Sequence, residues 1–128
     1  MLYSDIVKKL KKEEAYEILA FVMLAVEFML RPFELCSLTW EQIDEGQLVG
    51  ISYNRFLGIT VSGVISEEAL FALNCIPERD RTGKIFNHHL NYYSRLVKTK
   101  TGICPLNNLR HLGILIKMSG GNDGKYAN

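Results

Sequence analysis

A mostly α-helical domain carrying one small antiparallel β-sheet, an α+β arrangement, is what this chain of 128 residues predicts, and three observations predict it. Apolar residues at helical spacing, punctuated by proline, asparagine and glycine, fill both ends of the chain. A single stretch, Leu48 to Val64, is rich instead in Val, Ile, Tyr, Phe and Thr, the residues that suit a pleated surface. Its 48% apolar and 23% charged residues match an ordinary globular composition, and the length fits one domain, residues 1–128, with a real core.

Taken in order, Ser4 is placed to cap a helix running through about Lys12. Glu13 to Leu30 reads as a long buried helix, stopped because Pro32 disfavours helical backbone in the residue before it. Pro32 suits the first position of another helix, Pro32 to Leu38, and Thr39 can cap a last turn through Ile43. Two or three short strands fit Leu48 to Val64, with Asn54 and Gly58 as turn points. Ser66-Glu67-Glu68 opens a helix through Asn74, its acids favoured by the helix dipole. Pro77 to Gly83 reads as polar loop, His88 to Lys98 as helix, and Lys100 to Pro105 as loop. Asn107 or Asn108 can cap a helix to Met118, which Gly120-Gly121 ends.

Several classes of function are disfavoured by what the chain contains. Cys36, Cys75 and Cys104 are odd in number, widely spaced and never a CxxC pair, so neither a zinc site nor a disulfide framework is signalled. A reducing cytoplasm is the expected location, with no metal and no cofactor. His88 and His89 do not read as a metal pair, because adjacent side chains on a helix point about 100° apart. The most apolar run, Ile18 to Val26, is bounded by Glu17 and Glu27 and is too short to span a membrane. The amino terminus carries no signal-peptide pattern, and no glycine-rich phosphate loop occurs.

Charge is distributed unevenly. Residues 1–80 hold 7 Lys and Arg against 13 Asp and Glu, whereas residues 81–122 hold 7 basic residues, all three histidines and no acid. Basic groups without local counter-charges are what phosphates neutralise, so this half is a candidate surface for a polyanion. A solvated basic face has the same composition, and charge alone leaves both readings open. Tyr92-Tyr93 beside Arg95, Lys98 and Lys100 can stack on or bond a nucleic-acid backbone, or pack the edge of the core.

The stretch "LRPFELCSLTWEQID", residues 30–44, resembles the first arginine box of the tyrosine recombinases, the phage-integrase family. That box reads roughly small-Leu-Arg-x-x-Glu-Leu-x-x-Leu-x-Trp-x-x-Ile-Asp, and Arg31, Glu34, Leu35, Leu38, Trp40, Ile43 and Asp44 fall in register with it. "GICPLNNLRHLGILIKMSGG" is similar to the second box, His-x-x-Arg-His near the start of a helix, with Arg110 and His111 matching. "KIF" before this box and "SEEAL" after the strands suit the family's order.

What the resemblance implies is a recombinase-catalytic-like domain, C-terminally truncated and without an N-terminal core-binding domain. Enzymes of this family attack a DNA phosphodiester with a tyrosine, while two arginines hold the non-bridging oxygens where charge grows. Arg31 and Arg110 are the phosphate-clamping positions by this resemblance. Arg55, Lys84, Arg95, Lys98, Lys100 and His111 are the further residues expected to contact DNA. Glu34 or helix-end carbonyls are the alternative partners of Arg31.

Three departures temper the likeness. Asn107 stands in place of the family histidine, and it can hydrogen-bond but cannot carry a proton at neutral pH. Residues 46–65 contain no lysine for the family's general acid, only Arg55, which holds its proton too tightly. The nucleophile belongs beyond a further helix, and Tyr126 is the sole tyrosine after Arg110. The expectation is therefore a catalytically incomplete, duplex-DNA-binding protein, a regulator or accessory factor of a mobile element. A fragment or subunit of an active recombinase, completed by another segment or chain, is the alternative, as is a protein-interaction module. Duplex DNA through its phosphate backbone is the expected partner, with a second copy or a related recombinase as a further one, and no membrane.

Overall fold

Glu14 and Met29 take up left-handed backbone, φ 56° and 52°, and these two positions bound the central helix. The structure, a computed structural model, describes residues 2–54, 59–77 and 81–120. Its helices are α1 Tyr3–Lys12, α2 Tyr16–Glu27, α3 Pro32–Leu35, α4 Glu67–Asn74, α5 Leu90–Thr101 and α6 Asn108–Met118. Strands β1 Ile43–Asp44, β2 Gln47–Asn54 and β3 Ile59–Val64 form one antiparallel sheet in the order β1-β2-β3. The mostly helical α+β expectation holds.

Helix α2 is the axle. Every residue from Ile18 to Val26 is buried, so this helix is apolar all round because α1, α3, α4, α5 and α6 all pack against it. Phe21 lies at the centre, stacked on Tyr93 of α5 at 4.6 Å between ring centroids and edge-on to Phe86 at 5.1 Å. Such ring pairs add about 0.5–1.5 kcal/mol beyond the area they bury. No helix among the described residues is long and apolar enough to cross a membrane.

Several expected boundaries move. The long helix expected over Glu13 to Leu30 is shorter at both ends, since the turns at Glu14 and Met29 reverse the chain before and after it. Ser4 does not cap α1: it lies inside the helix, 6% exposed, and Leu2 occupies the capping position without a side-chain bond. Helix α3 ends at Leu35 rather than Leu38, and a short 3-10 turn follows at Trp40–Gln42. Helix α5 runs from Leu90 to Thr101, starting later and ending later than expected, and closes on Gly102 with φ 80°. Of the expected turn points Asn54 is the last residue of β2, opposite Ile59 of β3, while Gly58, like Arg55, lies outside the described residues.

Ser66 does cap its helix, with Oγ accepting from the Ala69 N–H at 3.2 Å. The same Oγ donates to Glu27 Oε2 at 2.6 Å, and the Ser66 N–H donates to Glu27 Oε1 at 3.1 Å. The end of α2 is thereby tied to the start of α4. Burial pushes the Glu27 carboxyl above its ordinary value, the two bonds from Ser66 oppose that rise, and nearby Glu68 adds to it.

Candidate nucleic-acid interface

The residues of the first box build a small rigid corner after α2. Glu34 does not pair with the Arg31 guanidinium: its Oε1 accepts the Arg31 backbone N–H at 2.7 Å, bracing the first turn of α3. Gln42 does the same for the next turn, accepting the Thr39 N–H at 2.9 Å, while its amide donates to the Val49 and Gly50 carbonyls of β2 at 3.1 and 3.2 Å. Leu35 and Leu38 are buried. The Trp40 ring lies under the Arg81 guanidinium, 5.6 Å from carbon to centroid, and Arg81 also donates to the Ile76 and Asn74 carbonyls at the end of α4. Most of the box is therefore architecture that fixes the position of one residue, Arg31, which stands exposed at the head of α3.

Arg110 reaches the same end of α2 from the other terminus of the chain. Helix α6 crosses α2 where Gly113 meets Val26, so closely that a Cβ on Gly113 would overlap the Val26 carbonyl group. Arg110 lies three residues before Gly113, on a neighbouring position of the helix surface, and Arg31 lies five residues after Val26. Neither guanidinium has a hydrogen bond or ion pair among the described residues, where Lys100 with Glu13 is the one salt bridge. Arg110 is half-buried and Arg31 exposed.

His111 is held by its neighbours in a defined tautomer. The Asn108 amide NH2 donates to the Cys104 carbonyl at 3.0 Å, which turns Asn108 Oδ1 toward His111 Nδ1 at 3.1 Å. An amide oxygen only accepts, so Nδ1 carries the proton and, in the neutral ring, Nε2 is left as an acceptor. Asn107 Nδ2 faces that Nε2 at 3.4 Å. Asn107 thus occupies the capping position of α6 without capping it, its amide turned to His111 instead of to a backbone N–H.

The other expected contacts divide. Lys84 is exposed on a segment that pairs with Thr39, the Ile85 N–H donating to the Leu38 carbonyl and the Trp40 N–H to the Gly83 carbonyl, each at 3.0 Å. That pairing sets Lys84 beside the first box. Burial pushes the Cys36 thiol up, and the nearby Lys84 ammonium offsets part of the rise, so proximity to positive charge does not activate this cysteine. Arg95 and Lys98 are exposed on α5 and one turn apart. Lys100 is engaged: its ammonium donates to Glu13 Oε1 at 3.2 Å and its carbonyl accepts from Lys9 Nζ at 2.6 Å. Tyr93 is core, with its hydroxyl donating to Glu17 at 2.7 Å and its pKa pushed up by burial and by that carboxylate. Tyr92 stacks on the His88 ring at 4.0 Å, and His89 caps α5 through Nδ1 at 3.1 Å, so these aromatics serve the fold.

Among the described residues no cluster of three or more His, Cys, Asp or Glu side chains is placed to hold a metal. Comparisons with protein-family models, with curated proteins and with solved structures found no match to this chain. Gly113 and the Lys84 pairing are the features that sequence reasoning missed. A glycine inside a helical pattern, which costs about 1 kcal/mol relative to alanine, was the available signal for the first.

Proposed function

We propose that this chain binds duplex DNA through its phosphate backbone, with Arg31 and Arg110 gripping one phosphate in the manner of the arginine pair of a tyrosine recombinase. What supports this reading is that Arg31 and Arg110, five residues after Val26 and three before Gly113 at the α2–α6 contact, both carry guanidiniums without a hydrogen bond or ion pair among the described residues. An arginine held near apolar packing with no carboxylate partner is stabilised by an incoming anion, and its planar fork offers paired donors to two phosphate oxygens. Lys84 beside the first box, with Arg95 and Lys98 on α5, supplies further backbone contacts. The fold resembled is that of the recombinase catalytic domain, acting in the cytoplasm, as a regulator or accessory factor of a mobile element.

On this reading the chain binds without breaking DNA. Strand cleavage needs a nucleophile, a proton donor for the departing hydroxyl and charge stabilisation at phosphorus. The arginines fill the third role. Neither Asn107 nor Arg55 delivers a proton near neutral pH, and Tyr126, the one tyrosine after Arg110, follows it by only 16 residues, where the resemblance implies a nucleophile beyond a further helix. A nicked suicide duplex incubated with the protein should leave no covalent adduct on a denaturing gel, while a plain duplex is retained at low salt. An adduct that disappears in Tyr126→Phe would make the chain a strand-cleaving enzyme and overturn this reading.

A further inference from the structure

A cavity of about 260 Å³ opens between α3 and β2, in the corner that Arg31 heads. Leu38 and Ile51, both buried, form its floor, and the Phe33 ring, 44% exposed, forms one wall. Glu34, Ser37 and Gln42 complete the lining. Sites for drug-sized molecules run to roughly 300–1,000 Å³, so this one suits a single ring system.

The hydrogen bonds already made there define what is left over. Both amide hydrogens of Gln42 go to the Val49 and Gly50 carbonyls, and the Ser37 hydroxyl donates to the Phe33 carbonyl at 2.8 Å. Glu34 Oε1 holds the Arg31 N–H, while its Oε2 accepts no bond among the described residues. The lining side chains therefore have no hydrogen left to donate, whereas Glu34 and Ser37 keep lone pairs that can accept.

A ligand for this cavity brings hydrogen-bond donors on a flat, apolar body. A cationic side chain meets that demand, but the guanidinium of Arg31, the residue whose N–H Glu34 holds, has no ion pair among the described residues and repels a second cation. A nucleobase meets it without charge: its face stacks on Phe33, and its amino group donates to Glu34 Oε2, as the cytosine amine does to a carboxylate. We infer that the cavity takes one base displaced from the duplex beside the phosphate held by Arg31, and prefers cytosine and adenine, which carry an amino group, to thymine, which does not. Thymine sets carbonyl oxygens against the carboxylate. Displacing a base costs least where it is already unpaired, so a duplex with a single bulged base is the fitting ligand. The assignment deepens the proposed DNA reading and rests on it.

The test titrates the full chain, by fluorescence anisotropy at fixed salt, with duplexes of one sequence. One is fully paired, and the others carry a single bulged cytosine, adenine, thymine or abasic residue at the same position. The abasic bulge keeps the deformed backbone and removes only the base. Cytosine and adenine bulges are expected to bind about tenfold more tightly than the abasic bulge, and thymine to gain less. Phe33→Ala, a change at an exposed ring, should bring every bulge to the level of the abasic one. Glu34→Gln keeps an oxygen for the Arg31 N–H and offers amide hydrogens to a base carbonyl, so thymine should gain relative to cytosine. Equal affinity for cytosine, thymine and abasic bulges, with the paired duplex still bound, would overturn the base site and leave the DNA reading standing. A chain that retains none of these duplexes would overturn both. If arginine amide shifts the amide signals of Glu34 and Ile51 and the cytosine bulge does not, the occupant is a partner's arginine side chain and the base site is wrong.

Discussion

Gly113 of α6 rests directly on the backbone of Val26 in α2: a Cβ at this position would stand 3.0 Å from the Val26 carbonyl carbon and nearer still to its oxygen. Backbone cannot move aside as a flexible side chain can. Gly113→Ala therefore separates the two helices and is expected to destabilise the protein by about 1–3 kcal/mol, despite alanine's better helix propensity. Urea denaturation measures this, and Gly102→Ala provides the contrast, since nothing lies within 4 Å of a Cβ there and the cost is that of its left-handed backbone alone. A stabilised Gly113→Ala would show that the crossing is looser than described.

Glu27 carries a pH signature. Its carboxyl is raised above the ordinary 4.5 by burial, so the folded chain binds the proton more tightly than the unfolded chain does. Stability from this group is fully present below about pH 4.5 and is lost as pH rises through the raised value. Comparing melting temperatures of the wild type and Glu27→Gln across this range isolates the group from other carboxylates. The wild type should lose ground relative to the variant as pH increases. A constant difference would mean that the bonds from Ser66 compensate burial fully.

The tautomer of His111 is readable by NMR. Nitrogen shifts of the neutral ring should report a proton on Nδ1, because Asn108 Oδ1 faces it and the Cys104 carbonyl fixes that amide. Asn108→Ala should remove the preference and yield a mixture. A ring protonated on Nε2 in the wild type would contradict the described bonds.

The two lysines of α5 should differ in their contribution to DNA binding. Lys98 is exposed, whereas Lys100 already pairs with Glu13. On the proposed reading Lys98→Ala reduces the log–log salt slope of duplex binding by about 0.9, and Lys100→Ala reduces it less. Equal effects would indicate that Glu13 releases Lys100 when DNA arrives.

How far the chain announced this structure depends on the distance over which each feature is decided. Proline at 32 and serine at 66 act within a turn of themselves, so the start of α3 and the span of α4 stand near where local rules place them, whereas α5 runs past the expected Lys98 to close on Gly102. Glu14 and Met29 carry no comparable mark, because positive φ is rare in such residues and is imposed here by the packing of α1 and α3 on α2. The site divides in the same way. Arg31 and Arg110 were picked out from short stretches, whereas Glu34, expected as a partner of the Arg31 side chain, instead accepts the Arg31 backbone N–H. The approach of Gly113 to Val26, the pairing of Lys84 with Thr39 and the tie from Lys100 to Glu13 join residues 40 or more positions apart, which no local pattern encodes.

The proposal that Arg31 and Arg110 serve one phosphate is tested most directly by a double-mutant cycle on duplex affinity at fixed salt, using Arg31→Ala, Arg110→Ala and the pair together. Charge-assisted hydrogen bonds are worth about 1.5–3 kcal/mol, so each single change is expected to weaken binding by roughly tenfold or more. If both guanidiniums grip the same phosphate, the double variant should lose clearly less than the two single losses added together. Singles that bind as well as the wild type, or losses that simply add, would contradict it.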